Sequence, residues 1–305
     1  MSNSPNLRRR IDGVLLLDKP VGWTSNAALQ LAKRLYRAEK AGHTGTLDPA
    51  ASGLLPICFG EATKFAHMLL DADKSYVATI RLGVTTSTGD VEGQIVREQP
   101  VHVERKDLEA VLARFVGSIQ QRPPRYAALK YRGRNYYEYA RAGVDIPRTA
   151  RNVVVKELAL ERWSSPDAQL RICCGKGTYV RVLAEDLGEA LGCGAHLAQL
   201  RRTATAGFDL ASAATFAMLE ELSEAARDLH LLKPDALVDA LPRVDLAPEE
   251  ATRVRHGQSI ARAELADGAY RTYASNAFAG VAHSFHGRLQ PRRLVAHSSV
   301  ESLES

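Results

Sequence analysis

The sequence lacks the features that mark membrane, secreted and metal-binding proteins. No apolar run approaches the ~20 residues that a membrane-spanning helix needs, and the opening stretch MSNSPNLRRR contains no apolar core of a secretory signal. The 4 cysteines show neither the spacing of a zinc site nor that of a redox pair. We therefore expect a cytoplasmic protein with reduced thiols, without a bound metal and without a membrane partner.

Internal repeats, a P-loop and a dinucleotide-binding fingerprint are also absent from the sequence. The composition, with 45% hydrophobic and 25% charged residues, is that of an ordinary soluble globular protein. A chain of 305 residues is long enough for one large domain and a small one. The informative segments are two loops and one basic stretch.

Residues 42–56, with the sequence GHTGTLDPAASGLLP, form the first informative loop. Their glycines and prolines argue against a helix or a central strand, and we expect a buried strand only at residues 54–59. Asp48 is the one acid between Glu39 and Glu61, which excludes a carboxylate pair within the loop. A rigid loop that presents a single carboxylate suits a nucleophile or a general base. The alternative is a structural turn in which Asp48 caps backbone amides.

Positive charge and tyrosine are concentrated in residues 122–151. This segment contains eight Arg or Lys and two acids, whereas the whole chain carries a net charge of only +5. It also contains five of the 10 tyrosines. Basic charge interleaved with aromatic rings suits a surface that binds phosphates and unstacked bases. A solvated helix face with buried tyrosines is an equal alternative.

The second informative loop, GKGTYVR at residues 175–181, precedes a helical pattern that stops at Gly192. Thr178 is predicted to cap this helix, which places Arg181 in its first turn. A cation at that position opposes the helix dipole and costs up to ~1 kcal/mol. A neighbouring anion would compensate for that cost, so we expect Arg181 to have an anionic partner.

Regular elements are predicted from the arrangement of the apolar residues. The apolar patterns indicate paired strands at 153–163 and 169–174, and an alanine- and leucine-rich stretch indicates one helix from about residue 211 to residue 232. Two prolines then interrupt the pattern within residues 233–242, which indicates a domain boundary near residue 243. The rest of the chain predicts a short helix followed by glycine-punctuated strands.

Five separated motifs resemble those of the bacterial tRNA pseudouridine synthase B family, in the same order along the chain. The motifs are Asp18-Lys19-Pro20-x-Gly-x-Thr24-Ser25, Gly42-His43-Thr44-Gly45-x-Leu47-Asp48-Pro49, Ala128-Leu129-Lys130, Lys176-Gly177-Thr178-Tyr179-x-Arg181 and Leu200-Arg201-Arg202. The likeness runs from about residue 11 to residue 208. The tail resembles the family's small C-terminal RNA-binding module of PUA type. Ala127 and Gly175 depart from the family pattern, in which serine is common at both positions.

This resemblance implies an α+β fold, with a mixed, largely antiparallel sheet and flanking helices, followed by a small β-rich PUA-like domain. It implies a catalytic pseudouridine synthase domain at residues 1–243 and an RNA-binding domain at residues 244–305. The expected reaction is isomerisation of uridine to pseudouridine at position 55 in the T-loop of tRNA, by base flipping and without a cofactor. The expected partner is the T-arm of tRNA, without a guide RNA or a protein partner.

The resemblance also implies roles for individual residues. Asp48 matches the family's essential carboxylate, and Arg181 matches the basic partner that keeps it ionised. The carboxylate can attack ribose C1′, attack uracil C6 or assist loss of the C2′ proton, and the sequence leaves these three routes open. Tyr76 and Tyr179 match aromatic residues around the target base, and Tyr76 is also placed in the catalytic set.

Further positions match contacts of the family with its substrate. His43 resembles the residue that enters the T-loop and fills the space left by the flipped base, and Leu200 matches an apolar wall of the pocket. Five basic residues resemble phosphate or structural contacts, although each is nearly as well explained as a plain surface or strand-end cation. These residues are Lys19, Lys64, Lys130, Arg141 and Arg202.

Other classes of function remain open. Glycoside or nucleoside hydrolysis also uses a carboxylate near an anomeric carbon, but it normally needs a second carboxylate, and the motif loops supply arginine and tyrosine instead. A tRNA-binding protein without catalysis would keep the basic, tyrosine-rich segment but would not need Asp48 beside Arg181. A guide-RNA-dependent relative is also conceivable.

Overall fold

The structure contains a large sheet, a small sheet, two short two-stranded sheets and flanking helices. It is a computed structural model that describes residues 8–127 and 129–296, so Ala128 of the third motif lies outside the described residues, as do residues 1–7 and 297–305. The α-helices are α1 (Ser25–Leu35), α2 (Arg105–Arg114), α3 (Tyr136–Arg141), α4 (Val180–Ala190), α5 (Phe216–Glu221), α6 (Glu224–Asp228) and α7 (Pro248–Arg255). Short 3-10 helices lie at Gly60–Lys64, Ala66–Leu69, Leu210–Ser212 and Pro234–Val238. The strands are β1 (Gly13–Lys19), β2 (Ala41–His43), β3 (Ala51–Phe59), β4 (Lys74–Leu82), β5 (Val84–Thr86), β6 (Ile95–Glu98), β7 (Gly117–Gln121), β8 (Lys130–Tyr131), β9 (Arg134–Asn135), β10 (Arg151–Ser164), β11 (Asp167–Cys174), β12 (Ala195–Thr205), β13 (Phe208–Asp209), β14 (Leu231–Leu232), β15 (Arg243–Leu246), β16 (Ile260–Ala261), β17 (Gly268–Ala274), β18 (Ala277–Phe285) and β19 (Arg288–Leu294). The two short sheets pair β5 with β6 and β8 with β9.

The large sheet follows the strand order β14-β1-β3-β12-β4-β11-β10-β7, with β2 beside β3 and β13 beside β12. β3 and β12 run parallel, with Leu200 opposite Ala51, whereas the other neighbouring strands on this path are antiparallel. The prediction of a mixed, largely antiparallel sheet is therefore confirmed. The predicted strand pair at 153–163 and 169–174 is also confirmed, since β10 pairs with β11.

The strand predicted at residues 54–59 begins three residues earlier, within the first informative loop, and it is a central strand, which the sequence argued against. β3 begins at Ala51, is buried over its whole length and lies between β1 and β12. Pro56 is tolerated because it lies between the part of β3 that pairs with β12 and the part that pairs with β2, so its missing N–H interrupts neither ladder. Gly53 has a φ of 100°, and a Cβ there would lie 2.2 Å from the carbonyl oxygen of Arg202. Close approach of β12 therefore requires glycine.

The prediction of one long helix at residues 211–232 is wrong. The segment forms α5 and α6, which are separated by Leu222 with an extended ψ of 145°. The hydroxyl groups of Thr215 and Ser223 each accept a hydrogen bond from a main-chain N–H of the helix that follows. Each residue is therefore an N-cap that starts a separate helix, and the alanine- and leucine-rich composition did not reveal the break.

The small sheet has the order β15-β17-β18-β19-β16 and packs against the large one. The rings of Phe278 and Phe65 lie 5.2 Å apart between centroids, and Val281 is buried in the same apolar cluster. The ammonium group of Lys64 donates to the carbonyl oxygen of Leu294 at 2.9 Å. The division into two domains at residue 243 stays a prediction. Among the described residues, none of the helices has both the length and the apolar character of a membrane span.

Candidate active site

The Asp48 loop (residues 44–50) is fixed to the N-terminus of α1. The buried hydroxyl of Ser25 donates to the carbonyl oxygen of Leu47 at 2.9 Å and accepts from the N–H of the same residue at 2.8 Å. On the other side of Asp48, the carbonyl oxygen of Pro49 accepts from the N–H of Gly22 at 2.8 Å. The first two motifs therefore form one structural unit, which holds Asp48 from both sides.

Arg181 joins Asp48 to a second carboxylate, Asp90. One terminal nitrogen of Arg181 lies 3.0 Å from Asp48 Oδ2, and the other lies 3.3 Å from Asp90 Oδ2. Asp90 is 4% exposed, and its other oxygen accepts hydrogen bonds from the Thr88 hydroxyl and the Glu92 N–H. The Asp48 side chain, by contrast, is 43% exposed. Of the two carboxylates, only Asp48 is therefore open to a substrate.

Burial and the neighbouring charges shift the pKa of Asp48 in opposite directions. Burial raises the pKa and is the largest influence, Arg181 lowers it, Asp90 raises it and Lys19 lowers it. The net direction of the pKa is upward because burial in the pocket, together with the charge of Asp90, outweighs the attraction of Arg181 and Lys19. Asp48 is consequently a stronger base than an exposed aspartate, while Arg181 still favours its ionised form.

Helix α4 begins one residue later than the sequence predicted. Its N-cap is Tyr179, whereas the Thr178 hydroxyl donates to the carbonyl oxygen of Gly175. Arg181 nevertheless lies in the first turn, and the expected anions beside it are the two carboxylates. They lie near a helix N-terminus, where the dipole also favours negative charge. The electrostatic disadvantage of an arginine at this position is thereby removed.

The main chain of Tyr179 is held by Gln121, a residue that the sequence did not single out. Gln121 is 1% exposed. Its Nε2 donates to the Tyr179 carbonyl oxygen at 3.2 Å, and its Oε1 accepts from the Tyr179 N–H at 2.9 Å. These two bonds fix the start of α4, which lacks a side-chain cap. No local pattern could reveal the contact, because β7 and α4 are distant in the chain.

A pocket of about 260 Å³ lies between the Asp48 loop, β4 and the start of α4. It brings together the residues Asp48, Tyr76, Tyr179, Arg181 and Leu200. Burial raises the pKa of Tyr76 to about 12 and also raises the pKa of Tyr179. Both phenols are therefore neutral at pH 7, and they offer uncharged aromatic surface beside the carboxylate.

Two of the five basic residues, Lys19 and Arg202, are buried. Lys19 is 0% exposed, donates to two carbonyl oxygens of the turn that follows it, at 2.9 and 2.6 Å, and has a pKa lowered by burial to about 8. Arg202 is 1% exposed and donates to the carbonyl oxygens of Leu54 and Gly45. Burial of this extent favours a structural role over phosphate contact for both cations.

The remaining predicted RNA contacts lie nearer the surface. Lys130 in β8 and Arg141 in α3 are exposed on the basic, tyrosine-rich segment, whereas Lys64 lies at the contact with the small sheet. His43 ends β2, and burial, together with the charge of Arg202, lowers its pKa. Its Nδ1 has no hydrogen-bond partner within the described part of the chain. The roles of these residues toward RNA stay predictions.

Family models match most of the chain. Residues 33–180 match the model described as TruB family pseudouridylate synthase (N terminal domain). Residues 181–252 match the model of a tRNA pseudouridylate synthase B C-terminal domain, and residues 242–295 match that of pseudouridine synthase II TruB, C-terminal. Together the three matches cover residues 33–295, and the second and third overlap at residues 242–252.

Individual relatives match over nearly their whole length. The tRNA pseudouridine synthase B of Methylobacillus flagellatus is 52% identical over 292 residues, which cover 95% of this chain and 97% of the relative. The tRNA pseudouridine synthase B of Chromobacterium violaceum is 51% identical over 304 residues, which cover 98% of this chain and 99% of the relative. Among solved structures, a Cbf5-Nop10-Gar1 complex has a similar chain, with a TM-score of 0.70, 25% identity and coverage of 94% of this chain and 84% of that chain.

Proposed function

The chain belongs to the TruB family of pseudouridylate synthases, and from this premise we propose that it modifies uridine 55 in the T-loop of tRNA. Conversion of uridine to pseudouridine in tRNA is the activity for which its relatives are named. The observation that carries the proposal is the ion pair of 3.0 Å between Asp48 and Arg181 at a pocket lined by Tyr76 and Tyr179.

Isomerisation needs a carboxylate and room for a base to turn. The bond between ribose C1′ and uracil N1 breaks, and C1′ then bonds to C5, while C5 loses a proton and N1 gains one. Asp48 acts on the substrate by attack on C1′, by attack on C6 or by assisting loss of the C2′ proton. Arg181 keeps the carboxylate ionised. Tyr76 and Tyr179 are neutral stacking surfaces, so the freed uracil can turn between them.

The surroundings of Asp90 argue against glycoside or nucleoside hydrolysis. A hydrolase of that kind normally uses two carboxylates that both reach the substrate. Asp90 is 4% exposed, and its oxygens are already bound by Arg181, Thr88 and the main chain of Glu92. It can therefore neither protonate a leaving group nor activate a water in the pocket.

We extend the proposal to RNA recognition. His43 enters the T-loop when the target base is flipped, a step that costs a few kcal/mol. Lys130 and Arg141 contact phosphates, and residues 244–305 act as a PUA-like RNA-binding domain beside the catalytic domain at residues 1–243. The protein works in the cytoplasm and needs neither a guide RNA nor a protein partner.

The test of this recognition compares three RNAs with the isolated protein. Full tRNA and a short stem capped by the seven-nucleotide T-loop are both expected to react, because they present the same folded phosphates and loop. A linear RNA with the loop sequence should react far more slowly, since the enzyme reads folded shape. Pseudouridine formation is measured at one fixed salt concentration. Equal rates on linear and hairpin RNA would contradict shape reading, and a requirement for added protein or guide RNA would contradict independent action.

Gln121→Met tests how the pocket is held. The substitution keeps the side-chain volume but leaves the N–H of Tyr179 unpaired, at about 1–3 kcal/mol, whereas the Tyr179 C=O keeps the hydrogen bond from the N–H of Leu183. We expect kcat/KM for tRNA to fall about tenfold to a hundredfold as the aromatic wall shifts. The control is Gln120→Met, an exposed position of the same strand. Equal activity of the two variants, with Gln121→Met still folded by its melting temperature, would show that Gln121 does not position the wall.

A further inference from the structure

A basic cavity lies at the C-terminal end of α1, apart from the active-site pocket. Its volume is about 340 Å³, and its lining consists of Arg8, Gln30, Lys33, Arg34, Arg37 and Ala38. Four of these six residues are cations that come from two segments of the chain. Such a concentration of positive charge around one concavity is unfavourable unless an anion is present.

The acids near this basic cavity are paired with Arg9 and with one of the four cavity cations, Arg37. One carboxylate oxygen of Glu224 lies 2.5 Å from a guanidinium nitrogen of Arg37, and the other lies 3.6 Å from a guanidinium nitrogen of Arg9. A second guanidinium nitrogen of Arg9 lies 2.5 Å from a carboxylate oxygen of Asp228. Of the cavity cations, Arg37 therefore has a carboxylate partner. Among the described residues, no carboxylate lies within 4.0 Å of the charged groups of the three others. Those unneutralised cations are Arg8, Lys33 and Arg34.

The helix dipole explains only part of this arrangement. Lys33 and Arg34 lie in the last turn of α1, where a cation gains about 0.3–1 kcal/mol. Arg8 belongs to a different segment of the chain, so its presence in the cavity is not explained by the usual enrichment of cations in the last turn of a helix. Two guanidinium groups, an ammonium group and the amide of Gln30 are all hydrogen-bond donors, and guanidinium matches the geometry of phosphate oxygens. The chemistry of the cavity thus fits a phosphate.

We propose that the basic cavity binds backbone phosphates of the tRNA substrate, away from the nucleotide that is modified. α1 begins at Ser25, which holds the Asp48 loop, and its 11 residues extend about 16 Å along the axis. The cavity at its far end is therefore too distant to touch the flipped nucleotide, but it can contact the same RNA several nucleotides away. The inference rests on the proposed tRNA substrate, and it assigns to the protein a further surface that binds this tRNA.

The test is the double variant Lys33→Gln/Arg34→Gln, with tRNA affinity measured over a range of salt concentrations. We expect affinity at low salt to fall about tenfold and the slope of log K against log salt to become shallower by roughly 1–2. Turnover at saturating tRNA should not change, because neither residue reaches the pocket. The control is Arg105→Gln/Arg114→Gln, which removes two exposed cations of α2 and should leave the slope unchanged. Melting temperatures report whether both variants are folded.

Two results would overturn the inference. The first is an unchanged affinity and slope in the folded Lys33→Gln/Arg34→Gln variant. The second is binding of inorganic phosphate to the wild type and not to this variant, with tRNA affinity equal in both, which would assign the cavity to a small anion. Because binding is measured separately from turnover, a wild-type protein that failed to modify uridine 55 would defeat the proposed function without altering either result.

Discussion

Asp48→Asn should abolish pseudouridine formation while tRNA affinity stays within about twofold of the wild type. An amide cannot attack carbon or accept a proton as a carboxylate does, yet the change is nearly isosteric. The loop is held through Ser25 and Pro49 rather than through the Asp48 side chain, so its conformation should survive. Single-turnover assays for pseudouridine and filter binding of tRNA measure the two quantities.

The matched control for Asp48→Asn is Asp167→Asn. It makes the same chemical change at a carboxylate that pairs with Arg81 on the outside of the sheet, where an ion pair contributes at most about 1 kcal/mol. Turnover of Asp48→Asn within tenfold of the wild type, about 1.4 kcal/mol in the barrier, would remove Asp48 from the chemistry.

The raised pKa of Asp48 gives a second readout. Turnover of the wild type should be lost on acidification around a pH that is higher than 3.8, the ordinary pKa of aspartate.

Arg181→Lys should lower turnover by about a hundredfold or more while the salt dependence of tRNA binding stays the same. The guanidinium spans two carboxylates, at 3.0 and 3.3 Å, and also donates to the carbonyl oxygen of Tyr126 at 3.0 Å. An ammonium group carries the same charge but lacks the planar fork, so it cannot hold Asp48 and Asp90 at once. The side chain is 8% exposed, which leaves it no direct part in phosphate binding.

Arg81→Lys is the control for Arg181→Lys. It makes the same exchange in the exposed pair with Asp167, and turnover should remain near the wild-type value. The two arginine variants are compared by single-turnover rate and by the slope of log K against log salt. Normal turnover with a shallower slope in Arg181→Lys would instead make Arg181 an RNA-backbone contact.

Local sequence patterns were sufficient for much of the fold and for the centre of the site. The apolar patterns at 153–163 and 169–174 predicted two strands, and the short connection between them predicted that β10 pairs with β11. The sequence alone singled out Asp48, because no other acid lies near it in the loop. It also singled out Arg181, because a cation in the first turn of a helix needs an anionic partner. The motifs around them led to the family and to the aromatic pocket.

Only the tertiary structure showed which distant residues meet. Arg181 pairs with both Asp48 and Asp90, and Gln121 holds the main chain of Tyr179. In each of these contacts the two residues are far apart in the sequence. The proline and glycine in β3 were misread because their tolerance depends on where β2 and β12 pair and on how closely β12 approaches. Lys19 and Arg202 resemble surface cations in sequence, yet both are buried. Periodicity and capping are properties of neighbouring residues, whereas burial and ion pairing depend on segments that only folding brings together.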